Sequence, residues 1–413
     1  MPGRYSFLSH LTALDLTDHT GFMAGRILAD LGVRVIKVEP PGGDPERASG
    51  PVVAQVKGRQ HSLVWLAYNH NKESITLDIT RPQGKALFKR LVAKTDFVIE
   101  SFAPGQMDRI GLGFEELRKI NPGIVLTSVT GFGQSGPYRD YRYSDLTLMA
   151  LGGVMNLIGD PDRPPVRVSI EQAIAHGCSQ AAAGTLMAHA ARAKSGEGSH
   201  VDCAILDSLI LLIGGALPAW EVNKGEFKRE GSRMVTNISR RAIYPCKDGH
   251  LAFLLNFGRN AVPFMTPMVQ WLKEEGMAGS LGNVDFGNTK IEQLSKEQLT
   301  EYEDVFLRFF ATKTKAEIRE EAVKRRLLAD SISTVADIYA DSQLKARNFF
   351  YDVRHPDLGR DVLHPGTFIL CPEESASDAR PTPRGGEHNA SVFGSMLKLK
   401  QSEIKQLHAQ GVL

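Results

Sequence analysis

The sequence predicts an α/β fold built on a parallel sheet. Over the first 130 of its 413 residues, short apolar runs typical of buried strands alternate with segments in which apolar residues recur every three or four positions, as on one face of a helix. Strands separated by helices of this length are joined by crossovers that make neighbouring strands parallel. Hydrophobic residues make up 42% of the chain and charged residues 23%, so the chain can bury a sizeable core.

The elements of this first part follow one another in regular order. Apolar runs at 13–17 and 33–39 predict two strands, and the apolar segment 25–31 between them predicts a helix. Residues 74–79 alternate with period two, which indicates a half-buried strand, and helical spacing returns at 84–94. The remaining elements of this part are predicted as strand 96–100, helix 114–120 and strand 124–130.

The pattern changes near residue 235. Before that point, the Ala-rich segment 171–193 and the apolar segment 203–225 predict two long helices. After it, residues 242–257 predict a hairpin around the turn CKDGH at 246–250. The last predicted elements are charged helices over 290–350, a surface loop over 373–387 and a short helix over 402–410 that Gly411 closes.

Charge and cysteine content exclude several classes of protein. Lys plus Arg is 49 and Asp plus Glu is 47, and a net charge of +2 excludes a strongly basic nucleic-acid-binding protein. The four cysteines form no C-x-x-C pair, which is typical of a reducing cytoplasm. The first nine residues lack the apolar core of a signal peptide, and the longest apolar stretch, 205–219, is interpreted as a buried helix. We therefore expect a cytoplasmic protein that binds neither nucleic acid nor a membrane.

Motifs of common cofactor and metal sites are incomplete or absent in the sequence. GFGQSG at 131–136 has the spacing of a dinucleotide-binding loop, but Pro137 follows at once, so the glycines do not open the helix that such a site needs. The twelve histidines show no metal-ligand spacing, and neither a G-x-S-x-G nor a Walker A motif occurs. We expect no bound metal and no permanently bound cofactor.

A series of short motifs runs along nearly the whole chain. It begins with LDLT at 14–17, AGRILADLG at 24–32 and VIKVEPPGGD at 35–44. It continues with NK at 71–72, LD at 77–78, ESFAPG at 100–105, DRIGL at 108–112, SVTGFG at 128–133, GSHVD at 198–202, FF at 349–350, HP at 355–356, Gly359 and PRGGEHN at 383–389. In this order and spacing the motifs resemble those of the family III CoA-transferases, the superfamily of formyl-CoA transferase, carnitine CoA-transferase and α-methylacyl-CoA racemase.

The resemblance implies a large Rossmann-like domain with a parallel sheet and a small inserted α+β domain. By analogy, residues 1–205 and 336–413 form the large domain, 206–234 a linker helix and 235–335 the small domain. Family members pair as interlocked rings, so an interlocked dimer is expected. The inserted domain would begin where the sequence pattern changes.

The resemblance also implies covalent catalysis on an acyl-CoA substrate. A family aspartate attacks the thioester to give a mixed anhydride, CoA then forms a thioester with that aspartate, and an acceptor carboxylic acid reverses the steps. Arginine suits the phosphates of CoA because its planar guanidinium binds them through two parallel hydrogen bonds. The residues that fall at CoA-binding positions are Leu77, Asp78, Ile79, Thr80, Ser101, Phe102, Ala103, Arg109 and Arg142.

The sequence departs from the family at the catalytic position. The nucleophile lies ten residues before the helix glycine, here Gly184, and that position is Ile174, which offers no reactive group. The racemase branch uses a histidine where this chain has Ser144. If 171–184 is one helix, Glu171 and Cys178 share a face with Ile174. Glu171 is then a weak candidate nucleophile or a charge at the helix end, and Cys178 is expected to be a core residue.

Three functions remain open from the sequence. The chain can be the non-nucleophilic subunit of a heteromeric CoA-transferase, of the kind that moves CoA from succinyl-CoA to benzylsuccinate, with a homologous subunit that carries the aspartate. It can also be a homomeric acyl-CoA lyase, isomerase or hydrolase, or a non-catalytic acyl-CoA-binding protein. In each case the expected ligands are an acyl-CoA and, for a transferase, a carboxylic acid.

Overall fold

The computed structural model describes residues 4–56, 59–235, 238–371 and 376–413. Its strands are β1 (Arg4–Tyr5), β2 (Thr12–Leu16), β3 (Arg34–Glu39), β4 (Val52–Val56), β5 (Arg59–Ser62), β6 (Glu73–Thr76), β7 (Phe97–Glu100), β8 (Val125–Thr130), β9 (His200–Ala204), β10 (Arg233–Val235), β11 (Ser239–Arg241), β12 (Ile243–Cys246), β13 (Gly249–Phe253), β14 (Ala329–Ser331), β15 (Phe350–His355), β16 (Arg360–Pro365) and β17 (Ala376–Ser377).

The helices occupy most of the intervals between these strands. They are α1 (Phe22–Asp30), α2 (Leu63–Asn69), α3 (Pro82–Val92), α4 (Gln106–Arg109), α5 (Phe114–Ile120), α6 (Asp145–Leu151), α7 (Ala173–Ser195), α8 (Ile205–Leu212), α9 (Ala216–Asn223), α10 (Val262–Glu274), α11 (Lys296–Phe310), α12 (Lys315–Arg325), α13 (Val335–Ala340), α14 (Ser342–Ala346), α15 (Asn389–Leu397) and α16 (Gln401–Ala409).

The chain divides into two compact units. The larger unit contains the described residues up to Val154 together with Arg167–Lys224 and Ser342–Leu413, and the smaller unit contains Met155–Val166 and Gly225–Asp341. The α/β class predicted from the sequence is confirmed.

A six-stranded parallel sheet, in the order β6-β3-β2-β7-β8-β9, forms the centre of the larger unit. The helices α1, α3, α5 and α7 lie in the connections between its strands. Leu14 at the centre of β2 is fully buried between Ile36 of β3 and Val98 of β7. These apolar strand residues pack with Phe88 and Phe393 in one core, which explains why the sequence shows continuous apolar runs here.

The smaller unit contains a three-stranded antiparallel sheet and its own core. β12 and β13 form the hairpin predicted over 242–257, and β14 pairs with β13. Buried aromatic side chains of α11 dominate the core, in which the rings of Phe306 and Phe310 both contact Tyr244. The predicted loop 373–387 belongs to the larger unit, and its residues 373–375 lie outside the described part of the chain.

The segment 203–225 is not the single long helix that its apolar composition predicts. α8 and α9 are bent by 66° relative to each other, at a break that contains Gly214 and Gly215, the residues least favourable to a continuous helix apart from proline. The expectation of a buried helix was also wrong, because α9 has no buried residue in the single chain. No single helix of the described ranges has the length and apolar composition of a bilayer span, although α8 and α9 meet that test when taken together.

Candidate functional site

A cleft of about 290 Å³, here called the first cleft, opens at the carboxyl ends of β2, β3 and β6. The sheet order reverses between β2 and β7, and ligands of parallel α/β sheets bind at such a reversal. The loop after β6, 77–80, lines the cleft on one side, and Ser101 and Phe102, which follow β7, line it on the other. The sheet topology therefore brings these two predicted CoA-binding segments together.

A second cleft of about 520 Å³ adjoins the first, because Asp18, Ser101 and Phe102 line both. Its other walls include the loop 139–144 and Ile174 at the start of α7. All nine residues predicted to bind CoA line one or both clefts: Leu77, Asp78, Ile79, Thr80, Ser101 and Phe102 the first, and Ser101, Phe102, Ala103, Arg109 and Arg142 the second.

Short hydrogen bonds fix the loops at the junction of the clefts. The backbone N–H of Asp18 donates to the Ser101 hydroxyl at 2.8 Å, and that hydroxyl donates to the Asp18 carboxylate at 2.9 Å. The backbone N–H of Phe102 donates to the Glu100 carboxylate at 2.7 Å. The loop after β7 is thus held from both sides, which keeps it in one conformation between the two clefts.

Buried charges lie beneath the first cleft. The Lys72 ammonium donates to the Asp15 carboxylate at 2.7 Å, and Lys37 lies 3.7 Å from the same carboxylate. Burial favours the neutral carboxyl group, but Lys72 and Lys37 outweigh it and lower the pKa of Asp15, while burial lowers the pKa of Lys72. Lys37 also lines the cleft and was not among the predicted residues. Its charge inside an apolar strand was the signal that could have identified it.

Arginines gather at the second cleft. Arg109, Arg139 and Arg142 all line it. A Cβ atom at Gly105 would lie 3.2 Å from Nη2 of Arg139 and 3.6 Å from Nη1 of Arg109, so both guanidinium groups approach one point. Two cations that converge in this way favour an anionic ligand such as a phosphate. Arg139 was missed from the sequence because it lies in a Gly- and Tyr-rich loop whose path is not set by local pattern.

Ile174 occupies the position that the family resemblance assigns to the nucleophile. It lies in the first turn of α7, is 6% exposed and lines the second cleft. Its backbone N–H donates to the Asp145 carboxylate at 3.4 Å, so a neighbouring acid already meets the positive helix N-terminus. Among the described residues, the carboxylates that line this cleft are those of Asp18 and Asp140.

The other candidate nucleophiles lie outside the clefts or are held by the fold. α7 begins at Ala173, so Glu171 precedes the helix, is exposed and is not part of either cleft lining. Cys178 is fully buried, its thiol donates to the Thr20 carbonyl at 3.2 Å, and burial raises its pKa to about 12, which keeps it un-ionised. The Ser144 hydroxyl accepts a hydrogen bond from the N–H of Thr147 at 3.3 Å and caps α6.

The glycine loop 131–136 does not lead directly into a helix whose N-terminus could bind a ligand. Gly133 and Gly136 have φ angles of 84° and 90°, and the next helix after the loop, α6, starts only at Asp145, as Pro137 led us to expect. The loop instead leads into the wall of the second cleft at Arg139. Within the described ranges, no three His, Cys, Asp or Glu side chains group as a metal site.

The fold and clefts define an α/β protein with an extended ligand site across the carboxyl edge of its sheet. The sequence model of the family described as CoA-transferase family III matches residues 8–389 of this chain. Succinyl-CoA--D-citramalate CoA-transferase of Chloroflexus aurantiacus is 33% identical over 95% of this chain and 94% of its own, and subunit BbsE of succinyl-CoA:(R)-benzylsuccinate CoA-transferase of Thauera aromatica is 32% identical over 93% of both. The solved structure of a CAIB/BAIF family protein from Brucella suis superposes with a TM-score of 0.79 at 28% identity, over 94% of this chain and 98% of that one.

This chain belongs to CoA-transferase family III. The match confirms the resemblance found from the sequence motifs. Its homologues are CoA-transferases that act on acyl-CoA substrates, and they include succinyl-CoA transferases.

Proposed function

We propose that this chain is the non-nucleophilic subunit of a heteromeric transferase that exchanges CoA between an acyl-CoA, such as succinyl-CoA, and a carboxylic acid. The observation that carries the proposal is Ile174, an apolar side chain at the catalytic position of clefts that keep the residues expected to hold CoA. Two relatives that cover almost the whole chain are named as transferases from succinyl-CoA, and one of them is a subunit.

In this proposal the chain binds and orients CoA without reacting. The first cleft holds the adenosine end at 77–80, and Arg109, Arg139 and Arg142 hold phosphates. Ile174 closes the reactive end and excludes water, which protects the thioester from hydrolysis. The nucleophilic carboxylate is that of an aspartate in a homologous partner subunit. It attacks the thioester carbonyl and displaces the CoA thiolate, which leaves an aspartyl–acyl anhydride. The thiolate then attacks the aspartyl carbonyl, displaces the donor carboxylate and forms an aspartyl-CoA thioester. The acceptor carboxylate attacks that thioester and displaces the thiolate, and the thiolate attacks the acceptor carbonyl of the new anhydride, which gives the product acyl-CoA and frees the aspartate.

Exposed apolar surface supports assembly with a second chain. Leu211, Leu217 and Val222 of α8 and α9 are 70%, 55% and 77% exposed, and Trp220 is 48% exposed. Several exposed apolar side chains on two consecutive helices are typical of an interface rather than of a solvent-facing surface. The proposal places the homologous subunit, in an interlocked arrangement, on this surface.

Co-expression tests the proposal directly. The untagged genomic homologue that carries an aspartate at the position of Ile174 should co-purify with tagged wild-type chain, and CoA transfer should require both. The replacement Trp220→Glu should reduce recovery of the partner, whereas Glu221→Gln, an exposed neighbour, should not. Full turnover by the purified chain alone would overturn the proposal.

A homomeric enzyme of the same fold is the second candidate, and Asp18 favours it because its carboxylate is exposed and lines both clefts. Three hydrogen bonds to one carboxylate oxygen, from the Thr20 N–H and hydroxyl and from Ser101, weaken it as a nucleophile. Loss of activity of the chain alone in Asp18→Asn, with Glu171→Gln unaffected, would support this candidate. CoA binding without turnover in any combination would leave a non-catalytic acyl-CoA-binding protein.

A further inference from the structure

A row of three polar side chains crosses the sheet behind the CoA-binding loop. Glu100, Ser128 and His200 lie on the neighbouring strands β7, β8 and β9. Ser128 is the cross-strand partner of Glu100 and lowers the pKa of its carboxyl group, and the Ser128 hydroxyl oxygen lies 2.9 Å from Nε2 of His200. Glu100 is 3% exposed, whereas His200 is exposed at the surface. The three groups therefore connect a buried acid to solvent.

These three side chains lie in a cleft behind the CoA-binding loop, here called the rear cleft. The rear cleft has a volume of about 170 Å³ and is lined by all three side chains. It shares Ala103 with the second cleft and Gln106 with the first. Because Phe102 donates its N–H to Glu100, the acid contacts the backbone of the loop that separates the rear cleft from the other two.

We propose that Glu100 is the positioning residue of the CoA-binding loop and that its protonated fraction rises when CoA binds, the proton coming from solvent through His200 and Ser128. This inference rests on the CoA site of the proposed function. It concerns a group that touches the loop and not the reacting atoms, so it differs from the question of the nucleophile.

Two proton arrangements with a neutral imidazole connect solvent to Glu100 through these side chains. When Glu100 is ionised, Ser128 donates to it and accepts from Nε2–H of His200. When Glu100 is protonated, it donates to Ser128, and Ser128 donates to the bare Nε2 of His200, which then carries its proton on Nδ1. Proton uptake then has three steps. Nδ1 of His200 takes one proton from solvent, Nε2 of His200 passes its proton to Ser128, and Ser128 passes its own proton to Glu100.

The surroundings of Glu100 keep both arrangements accessible near neutral pH. Burial raises the pKa of Glu100 to about 7, Asp18 and Asp108 raise it as well, and the hydrogen bonds from Ser128 and Phe102 lower it. Burial lowers the pKa of His200, which keeps its imidazole neutral.

The other titratable groups that face Glu100 carry no positive charge at neutral pH. In the rear cleft they are Asp108, Glu115 and His200, and Asp18 faces it from the loop after β2. The phosphates of CoA beside Phe102 add negative charge and favour the protonated acid further.

Calorimetry with CoA itself tests the inference. CoA is titrated into the purified protein at pH 7 in buffers of different ionisation enthalpy, which gives the number of protons taken up. Wild type should take up more protons than Glu100→Gln, whose amide mimics the protonated acid. Protons that bind to the CoA phosphates contribute equally to both proteins, so they cancel when the two uptakes are subtracted. The CoA affinity of wild type should fall about tenfold from pH 6 to pH 9 for a shift of one pKa unit, while that of Glu100→Gln should stay more nearly constant.

Two further variants separate this role from a purely structural one. Ser128→Ala removes a hydroxyl that lowers the pKa of Glu100, so the fall in affinity should move to higher pH even if Glu100→Gln does not fold. Glu115→Gln, an exposed acid of the same cleft, should match wild type. Wild type that binds CoA with the same proton uptake as Glu100→Gln, or an unmoved pH profile in Ser128→Ala, overturns the inference alone. No CoA binding by wild type overturns the proposed function and this inference with it.

Discussion

Replacing Ile174 by aspartate should make this chain reactive toward succinyl-CoA. The variant places a carboxylate in the first turn of α7, at the edge of the second cleft. Because Ile174 is 6% exposed, both Ile174→Asp and Ile174→Asn lose about 2–3 kcal/mol of apolar burial. The aspartate also approaches Asp145, whose Oδ1 lies 3.4 Å from the Ile174 amide. Two carboxylates about 5 Å apart repel by about 3 kcal/mol at an effective dielectric constant near 20, and the helix N-terminus offsets about 0.5–1 kcal/mol of this.

Urea unfolding and intact-protein mass spectrometry measure the two sides of this prediction. Ile174→Asp should be less stable than Ile174→Asn by about 2 kcal/mol at pH 7, the repulsion less the helix term. After incubation with succinyl-CoA, it alone should carry a covalent CoA adduct that hydroxylamine removes. Ile174→Asn has the same size and no nucleophile, so it controls for the change in packing. An adduct on the wild-type chain, or a folded Ile174→Asp that binds CoA without being labelled, would refute the reasoning.

Three further outcomes follow from charged and titratable groups. Lys72→Met leaves the buried Asp15 carboxylate without its closest cation and should lower the free energy of unfolding by about 3–5 kcal/mol. The control Lys296→Met, at an exposed lysine, should lower it by less than about 0.5 kcal/mol, and equal effects would contradict the prediction. Arg139→Ala should weaken CoA binding by roughly tenfold and reduce its salt dependence, measured by calorimetry at two ionic strengths; unchanged affinity would exclude Arg139 from the site. Burial, and to a smaller extent a neighbouring histidine, lowers the pKa of His364 to about 4. Below pH 6.5 the unfolded chain therefore binds more protons than the folded chain. Lowering the pH from 7 to 5 should then reduce the free energy of unfolding by about 1–2 kcal/mol in wild type and by less in His364→Gln. An equal loss in both would disprove that assignment.

Local pattern was enough to locate most elements of the larger unit. The helix predicted over 114–120 has the observed bounds, and the strand predicted over 124–130 begins one residue later, at Val125. Buried parallel strands are continuous apolar runs with turn residues at their ends, so both their identity and their limits are encoded locally. The segment 203–225 failed because the glycine pair at its centre outweighed a continuous apolar composition.

The candidate site was only partly accessible from the sequence. The family motifs identified residues that the sheet topology gathers in two adjoining clefts. No local sequence pattern predicted Arg139, Lys37 or the contact between Asp145 and Ile174. These depend on loops and helices that meet from distant parts of the chain. Glu171 shows the same limit, because its assumed place on the face of α7 depended on where the helix begins, and helix ends are the least certain feature of a periodic pattern.

The structure separates what folding requires from what a ligand requires. Ile174 satisfies folding: it is buried, and Asp145 supplies the negative charge that a helix N-terminus favours. Arg109 and Arg139 bring two cations toward one point beside Gly105, where they repel each other, while Arg139 also pairs with Asp140 at 3.4 Å. An anion that binds between the two guanidinium groups would remove this repulsion. In the proposed function the cleft binds CoA beside Ile174, whose side chain is not a nucleophile, as expected of a subunit that binds but does not react.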